Sequence, residues 1–290
     1  MRILVTGADG QLGRCIRDAS ESSDNEYIFT DVDDIDITDR EAVNLCLKVN
    51  NFDVVINCAA FTDVERAEEQ EEIAYDINCK AVKYLAEAAK KYSVTLIHIS
   101  TDYVFDGKGN QPIGEGSAVA PCGAYGRTKL AGEKAIAESQ CQAIIIRTAW
   151  LYSEYGRNFV KTMERLTREK DSINVVVDQV GSPTYARDLA DAIVSIVDRG
   201  DFVGHYGTYH FSNLGVCSWY DLAKMTAEYT GYNGCEIRPC RSSEYPSKVC
   251  RPSYSVLDKA KIIETFGLEI PYWIDSLRKC AERIKQGRNE

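Results

Sequence analysis

A chain of 290 residues, 44% of them hydrophobic, can build one large core or two unequal lobes and is too apolar for a disordered polypeptide. Its formal net charge of -10 argues against broad attraction to nucleic acid or to anionic membranes. The opening Met1-Arg2-Ile3-Leu4-Val5-Thr6-Gly7 lacks the apolar core of a signal peptide, and no later run is long enough to span a bilayer, so a cytoplasmic protein with neither partner is expected. Eleven scattered cysteines without a close Cys-x-x-Cys pair read as small buried hydrophobes in a reducing compartment. The tightest group, Cys235, Cys240 and Cys250, has no fourth ligand such as His nearby, so no metal is expected.

In chain order, runs dense in Val, Ile and Leu at Arg2 to Thr6, Tyr27 to Asp31, Phe52 to Ala59, Val94 to Thr101 and Ala143 to Trp150 predict strands buried on both faces. Helical patterns lie between them. Thr38-Asp39-Arg40-Glu41 fits a capping box, and Ile73 to Tyr92 carries apolar residues at helical spacing. This alternation predicts an α/β fold, a doubly wound parallel sheet of Rossmann type. Beyond Trp150 we expect a helix from about Phe159 to Glu169, a strand at Ile173 to Asp178 and a helix from Arg187 to Asp198. A capped helix at Ser218 to Tyr229 then stops at Gly231, Pro239, Pro246, Pro252 and Pro271 punctuate a loop-rich stretch, and a last helix lies near Ile274 to Lys285. Residues 1–150 are expected to form the dinucleotide-binding domain, with the chain returning to it at about 173–200, and 151–290 mainly a smaller α/β substrate lobe.

Gly7, Gly10 and Gly13 follow the first strand and open the first helix, where glycines permit a tight turn and close backbone approach, and a helix N-terminus offers free N–H groups to a phosphate. Asp31 closes the second strand about 20 residues on, the place from which an acid accepts hydrogen bonds from the adenosine ribose. An acid there favours NADH. Arg14 could instead pair with a 2′-phosphate, which leaves NADPH open, and Asp33, Asp34 and Asp36 crowd the same stretch.

Tyr125 and Lys129 are four apart on one helix face, so the ammonium can stabilise the phenolate and bring the phenol toward the working pH as a proton donor. Alone, that spacing is a frequent accident. Ser100 and Thr101 end the fourth strand, at the carboxyl edge where open α/β sheets bind ligands, and Thr101 is the better placed to hydrogen-bond a substrate carbonyl.

Ser100 to Gly107 (STDYVFDG), Pro121 to Glu133 (PCGAYGRTKLAGE), Arg147 to Tyr152, Asp178 to Thr184 and Arg251 to Ser255 complete a pattern across nearly the whole chain. It resembles the extended short-chain dehydrogenase/reductases, in particular their branch that reduces dTDP-linked 4-keto-6-deoxyhexoses. The resemblance implies hydride transfer from NADPH or NADH to the C4 ketone of dTDP-4-dehydro-L-rhamnose, with Tyr125 as proton donor, Lys129 tuning it and holding the nicotinamide ribose, and Thr101 polarising the carbonyl. It further implies a cofactor site of Gly7, Gly10, Gln11, Leu12, Gly13, Asp31, Asp36, Ile37, Ala59, Ala60, Phe61, Thr62 and Ile99. Asp102, Tyr103 and Trp150 would touch the sugar nucleotide, and Asn158 and Arg251 its diphosphate or nucleotide. Some members look like magnesium-bridged dimers, but Cys15 and Arg187 stand at the matching positions, so monomer and homodimer both stay open. Two rivals share the fold. A dehydratase or epimerase would use a second acid after Thr-Asp, where this chain has Tyr103, and an idle dinucleotide-binding subunit would not require Thr101, Tyr125 and Lys129.

Overall fold

The computed structural model describes residues 1–245, 249 and 251–287, so Pro246 and Cys250 lie outside the described residues. The first half runs β1 (Arg2–Thr6), α1 (Gln11–Ala19), β2 (Glu26–Thr30), α2 (Arg40–Asn50) and β3 (Val54–Asn57). Then come α3 (Val64–Glu69), α4 (Glu71–Tyr75), α5 (Ala81–Tyr92), β4 (Thr95–Thr101), α6 (Ala124–Ser139) and β5 (Ala143–Thr148). The second half holds β6 (Leu151–Tyr152), α7 (Phe159–Glu169), β7 (Ser172–Val176), β8 (Val180–Gly181), β9 (Thr184–Tyr185) and α8 (Ala186–Asp198). It ends with β10 (Gly207–Phe211), β11 (Cys217–Ser218), α9 (Trp219–Thr230), β12 (Glu236–Cys240), β13 (Tyr254–Ser255), α10 (Ala260–Phe266) and α11 (Trp273–Gln286).

Six parallel strands form the central sheet in the order β10-β5-β4-β3-β1-β2, the doubly wound arrangement expected from the sequence. Strand order reverses at β1, so a crevice opens outside the carboxyl ends of β1 and β3. Both sheet faces are covered, which is why the strands are dense in Val, Ile and Leu. Ile3, Val5, Ile56 and Ile97 pack against α1, α8 and α10 on one side. Leu4, Val55 and Leu96 pack against α2, α5 and α6 on the other.

Three local readings change. The cap of α2 is Asp39 rather than Thr38: Asp39 accepts from the Glu41 and Ala42 N–H groups, while the Thr38 hydroxyl is drawn to Asp36. The helical stretch expected from Ile73 begins at Val64 instead, breaks at Gln70 and passes through one π turn at Asp76–Lys80 before α5. The strand expected at Ile173 to Asp178 spans Ser172–Val176 and pairs with β12, apart from the central sheet, whereas α8 packs on α1 and β10 extends the sheet. The β7–β12 pair is covered by Met163 of α7 and Ala223 and Ala227 of α9. Helix α9 itself follows the expected punctuation, with a Ser218–Asp221 capping box at its start and Gly231 at φ 84° at its end.

Candidate active site

The turn after β1 is built for close approach. Gly7 has φ +67°, and a Cβ there would meet Ala59 N at 2.5 Å. At Gly13 a Cβ would meet Gly7 O at 2.4 Å, so the first turn of α1 lies directly on the loop. Gly10 caps α1 without a side-chain hydrogen bond, and no acidic residue stands in the helix's first turn, which leaves its N–H groups and positive dipole end for an anion. These residues fit a dinucleotide: with no Cβ at either glycine, the turn closes on the loop after β3 and on the first turn of α1, which keeps the free N–H groups of α1 at the turn where a pyrophosphate would lie. Asp31 reaches back from the end of β2 to accept from the Asp9 N–H at 2.9 Å, which sets the carboxylate at the rim of this turn. Arg14 is drawn the other way, its guanidinium stacked over the Tyr155 ring at 4.1 Å. Leu12 and Ile37 are buried, and exposed Asp36 is occupied with Thr38.

The loop after β3 forms the second wall. The Ala59 N–H donates to Asn57, and the Phe61 backbone makes two hydrogen bonds with the Asn78 side chain, at 2.9 and 3.1 Å. Ala60 is partly buried and Thr62 exposed on the same loop. Asn78 also donates to Thr128 Oγ1 at 3.1 Å, and Thr128 donates to Tyr125 O. Fully buried in the π turn, Asn78 thus ties the cofactor-side loop to the helix turn that carries Tyr125 and Lys129. No sequence motif marked it. A π turn is a local irregularity that periodicity does not register.

At the carboxyl end of β4, Thr101 donates to Asp102 Oδ1 at 3.0 Å, accepts from the Tyr103 N–H, and stands in hydrogen-bonding reach of the Tyr125 hydroxyl. Burial pushes the Tyr125 phenol well above its ordinary pKa. Lys129, 2% exposed, donates to Ile99 O at 2.6 Å, and burial lowers its ammonium to about 8. Asp102 is 3% exposed; burial raises its carboxyl to about 7, and Oδ2 makes no well-formed hydrogen bond although the Ser255 hydroxyl is near. Tyr103 sets its ring edge-on to that of Tyr125, centroids 5.4 Å apart. Thr101, Asp102, Tyr103, Tyr125 and Lys129 therefore share one corner. Beneath it lies a buried bidentate pair, Arg147 with Glu133, the latter also accepting from Ser100 at 2.5 Å.

Beside this corner a cavity of about 450 Å³ is lined by Phe159, Met163, Val176, Gln179, Trp219 and Arg251. Trp150, held at φ +50°, stacks on Trp219 with centroids 3.6 Å apart and planes within 10°. Arg251 pairs with Glu65 and reaches the Tyr103 hydroxyl, so it joins cavity and corner. Asn158 stands apart. Its side-chain oxygen caps α7, and its side-chain amide donates to Gln11 Oε1 and to the Ser153 and Tyr155 carbonyls, so its whole side chain is engaged within the protein. Trp219 and Phe159 were not singled out from the sequence, since an aromatic at helical spacing reads as core; Gln179 lay in the Asp178 to Thr184 stretch without a role of its own. Arg187 pairs with Asp18 inside the chain, beside buried Cys15. Among the described residues, no helix is long and apolar enough to cross a membrane.

The model for the RmlD substrate binding domain matches residues 1–286. A dTDP-4-dehydrorhamnose reductase of Aggregatibacter actinomycetemcomitans is 38% identical over 288 residues, covering 96% of this chain and 97% of the relative. Among solved structures, a dTDP-4-dehydrorhamnose reductase of Clostridium acetobutylicum superposes with TM-score 0.93 at 43% identity, covering 98% of this chain and 100% of that one. One from Bacillus anthracis in complex with NADP gives 0.92 at 35%, covering 97% and 99%. Matched along almost its whole length in sequence and in fold, the chain belongs to the RmlD substrate binding domain family.

Proposed function

We propose that this protein is an NADPH- or NADH-dependent reductase of the C4 ketone of dTDP-4-dehydro-L-rhamnose, giving dTDP-L-rhamnose. The observation that carries the reading is the convergence of Thr101, Tyr125 and Lys129 beside a glycine turn shaped for a dinucleotide. A reduced nicotinamide, when bound on this turn, supplies the hydride. The chain's own groups supply the rest. The Thr101 hydroxyl turns its proton from Asp102 Oδ1 to the carbonyl oxygen as that oxygen gains charge, and the Tyr125 phenol hands it a proton. Burial alone makes that phenol a poor acid. The Lys129 ammonium offsets this by stabilising the phenolate one helical turn away.

In this reading Asp102 accepts a sugar hydroxyl through Oδ2, and Arg251 meets the substrate's diphosphate or nucleotide. Trp150 and Trp219 present an aromatic wall, while Asn158 positions Gln11 rather than touching ligand. Asp31 at the rim, with Arg14 committed to Tyr155, favours NADH over its phosphorylated form. Residues 151–290 would mainly serve the substrate, in a cytoplasmic monomer or homodimer. The test is loss of reduced-nicotinamide absorbance with purified protein and dTDP-4-dehydro-L-rhamnose generated in situ. We expect consumption of cofactor matched by dTDP-L-rhamnose; no consumption with either cofactor would overturn the assignment.

A further inference from the structure

Thr6, Asn57 and His98 stand in one row across β1, β3 and β4, paired in register on the sheet face that α6 covers, and none is more than 1% exposed. Polar groups so placed must satisfy one another. Their directions are set from one end. The Ala59 backbone N–H can only donate, and it donates to Asn57 Oδ1 at 3.2 Å, which also accepts from the Thr6 hydroxyl at 2.8 Å. The Asn57 amide NH2 therefore faces His98 Nδ1, 3.1 Å away, and an NH2 group cannot accept. So Nδ1 is the acceptor and the ring proton sits on Nε2. That nitrogen lies 3.3 Å from Lys129 Nζ. An imidazole N–H aimed at an ammonium sets donor against donor, whereas a neutral amine offers a lone pair.

We propose that His98 is a positioning residue: held by Asn57 and the Ala59 N–H with its own N–H toward Lys129, it favours the neutral amine and so sets the pH at which Lys129 holds its proton. For His98 to accept from an ammonium, its proton would have to move to Nδ1 and Asn57 would have to turn over, leaving the Ala59 N–H against an NH2. Other titratable groups around Lys129 act alongside. Glu133, one turn along α6, is already paired with Arg147 of β5 and Ser100 of β4; Cys58 follows β3; Tyr125 precedes Lys129 on α6. Burial is the largest influence lowering Lys129, with Glu133 and Cys58 opposing it, and the same burial with the Lys129 charge keeps His98 uncharged far below the usual histidine range.

Nitrogen NMR of histidine-labelled protein reads the ring tautomer directly, without cofactor or substrate. The chain has three histidines, so the His98 signals are those missing from His98→Gln. We expect a neutral ring protonated on Nε2 at neutral pH, its shift moving near pH 8 as Lys129 titrates. A proton on Nδ1, or an imidazolium, would overturn the proposal. The kinetic consequence rests on the reductase reading: the alkaline limb of kcat/KM should move up by about one pH unit in His98→Gln, whose carbonyl oxygen can accept from the ammonium. Asn57→Asp, which accepts from Nδ1–H and turns the ring proton round, should do the same if the glutamine variant does not fold. A folded variant with an unmoved limb refutes the coupling. Wild-type protein without turnover refutes the reductase reading and leaves the NMR result to decide on His98.

Discussion

Gly13→Ala tests whether the turn after β1 is a ligand cradle or merely a connection. Its Cβ would stand 2.4 Å from Gly7 O, 2.6 Å from Ala8 Cα and 2.7 Å from Ala8 O, all backbone atoms. Restoring ordinary contact at 3.4 Å takes a shift of about 1 Å between α1 and the turn. Overpacking on this scale costs about 1–3 kcal/mol of stability. The same shift carries the free N–H groups of α1 off a bound pyrophosphate. Charge-assisted hydrogen bonds contribute about 1.5–3 kcal/mol each, so weakening even one by half predicts roughly three- to tenfold weaker dinucleotide binding, and two such losses up to about a hundredfold. Gly114→Ala, with nothing within 4 Å of its Cβ, is the matched control. Titration of protein fluorescence with NADH and NADPH, alongside urea unfolding, separates the two effects. Folded Gly13→Ala that binds both dinucleotides as tightly as Gly114→Ala would refute the cradle.

Tyr125→Phe keeps the ring but removes the proton donor, so kcat should fall by about 10²-fold or more while dinucleotide affinity holds; a parallel loss of both would contradict the assigned role. For Asp102 the folded pKa, about 7, lies above its ordinary 3.8, so burial favours the protonated form and the stability it confers is lost as pH rises through 7. Between pH 5 and 8 the wild type should lose about 2–3 kcal/mol more than Asp102→Asn in urea unfolding, and equal slopes would show that Asp102 is solvated. Arg147→Met leaves the Glu133 carboxylate buried without its cation and should cost about 3–5 kcal/mol, most of it regained in Glu133→Leu/Arg147→Met; a double variant no more stable than the single one would refute the pairing argument.

The sheet was legible because parallel strands covered on both faces are dense in Val, Ile and Leu: β1, β4 and β5 fall within a few residues of their expected bounds. That Tyr125 and Lys129 share one helix face was legible because four residues is a helical distance that needs no tertiary information. What stayed hidden depends on pairing between distant segments. Thr6, Asn57 and His98 lie in three separate strands, and only the register of β1, β3 and β4 brings them into a row. The Trp150–Trp219 stack joins residues 69 positions apart and sets Trp219, an apparent core aromatic, in the wall of the cavity. Thr38 looked like a helix cap because Thr-Asp-Arg-Glu satisfies the pattern; Asp36 captured its hydroxyl first.

Strand β4 divides its services by parity. His98 and Ser100 point to Lys129 and Glu133 of α6, while Thr101, of the opposite parity, lends its hydroxyl to the reacting corner. Since neighbouring side chains face opposite ways, adding or deleting one residue here would exchange the two sets outright. In terms of lineage, length change in β4 should be purged even where substitutions at its apolar positions are tolerated. Residues 108–112, exposed and open, are where this chain can lengthen or shorten without losing its chemistry.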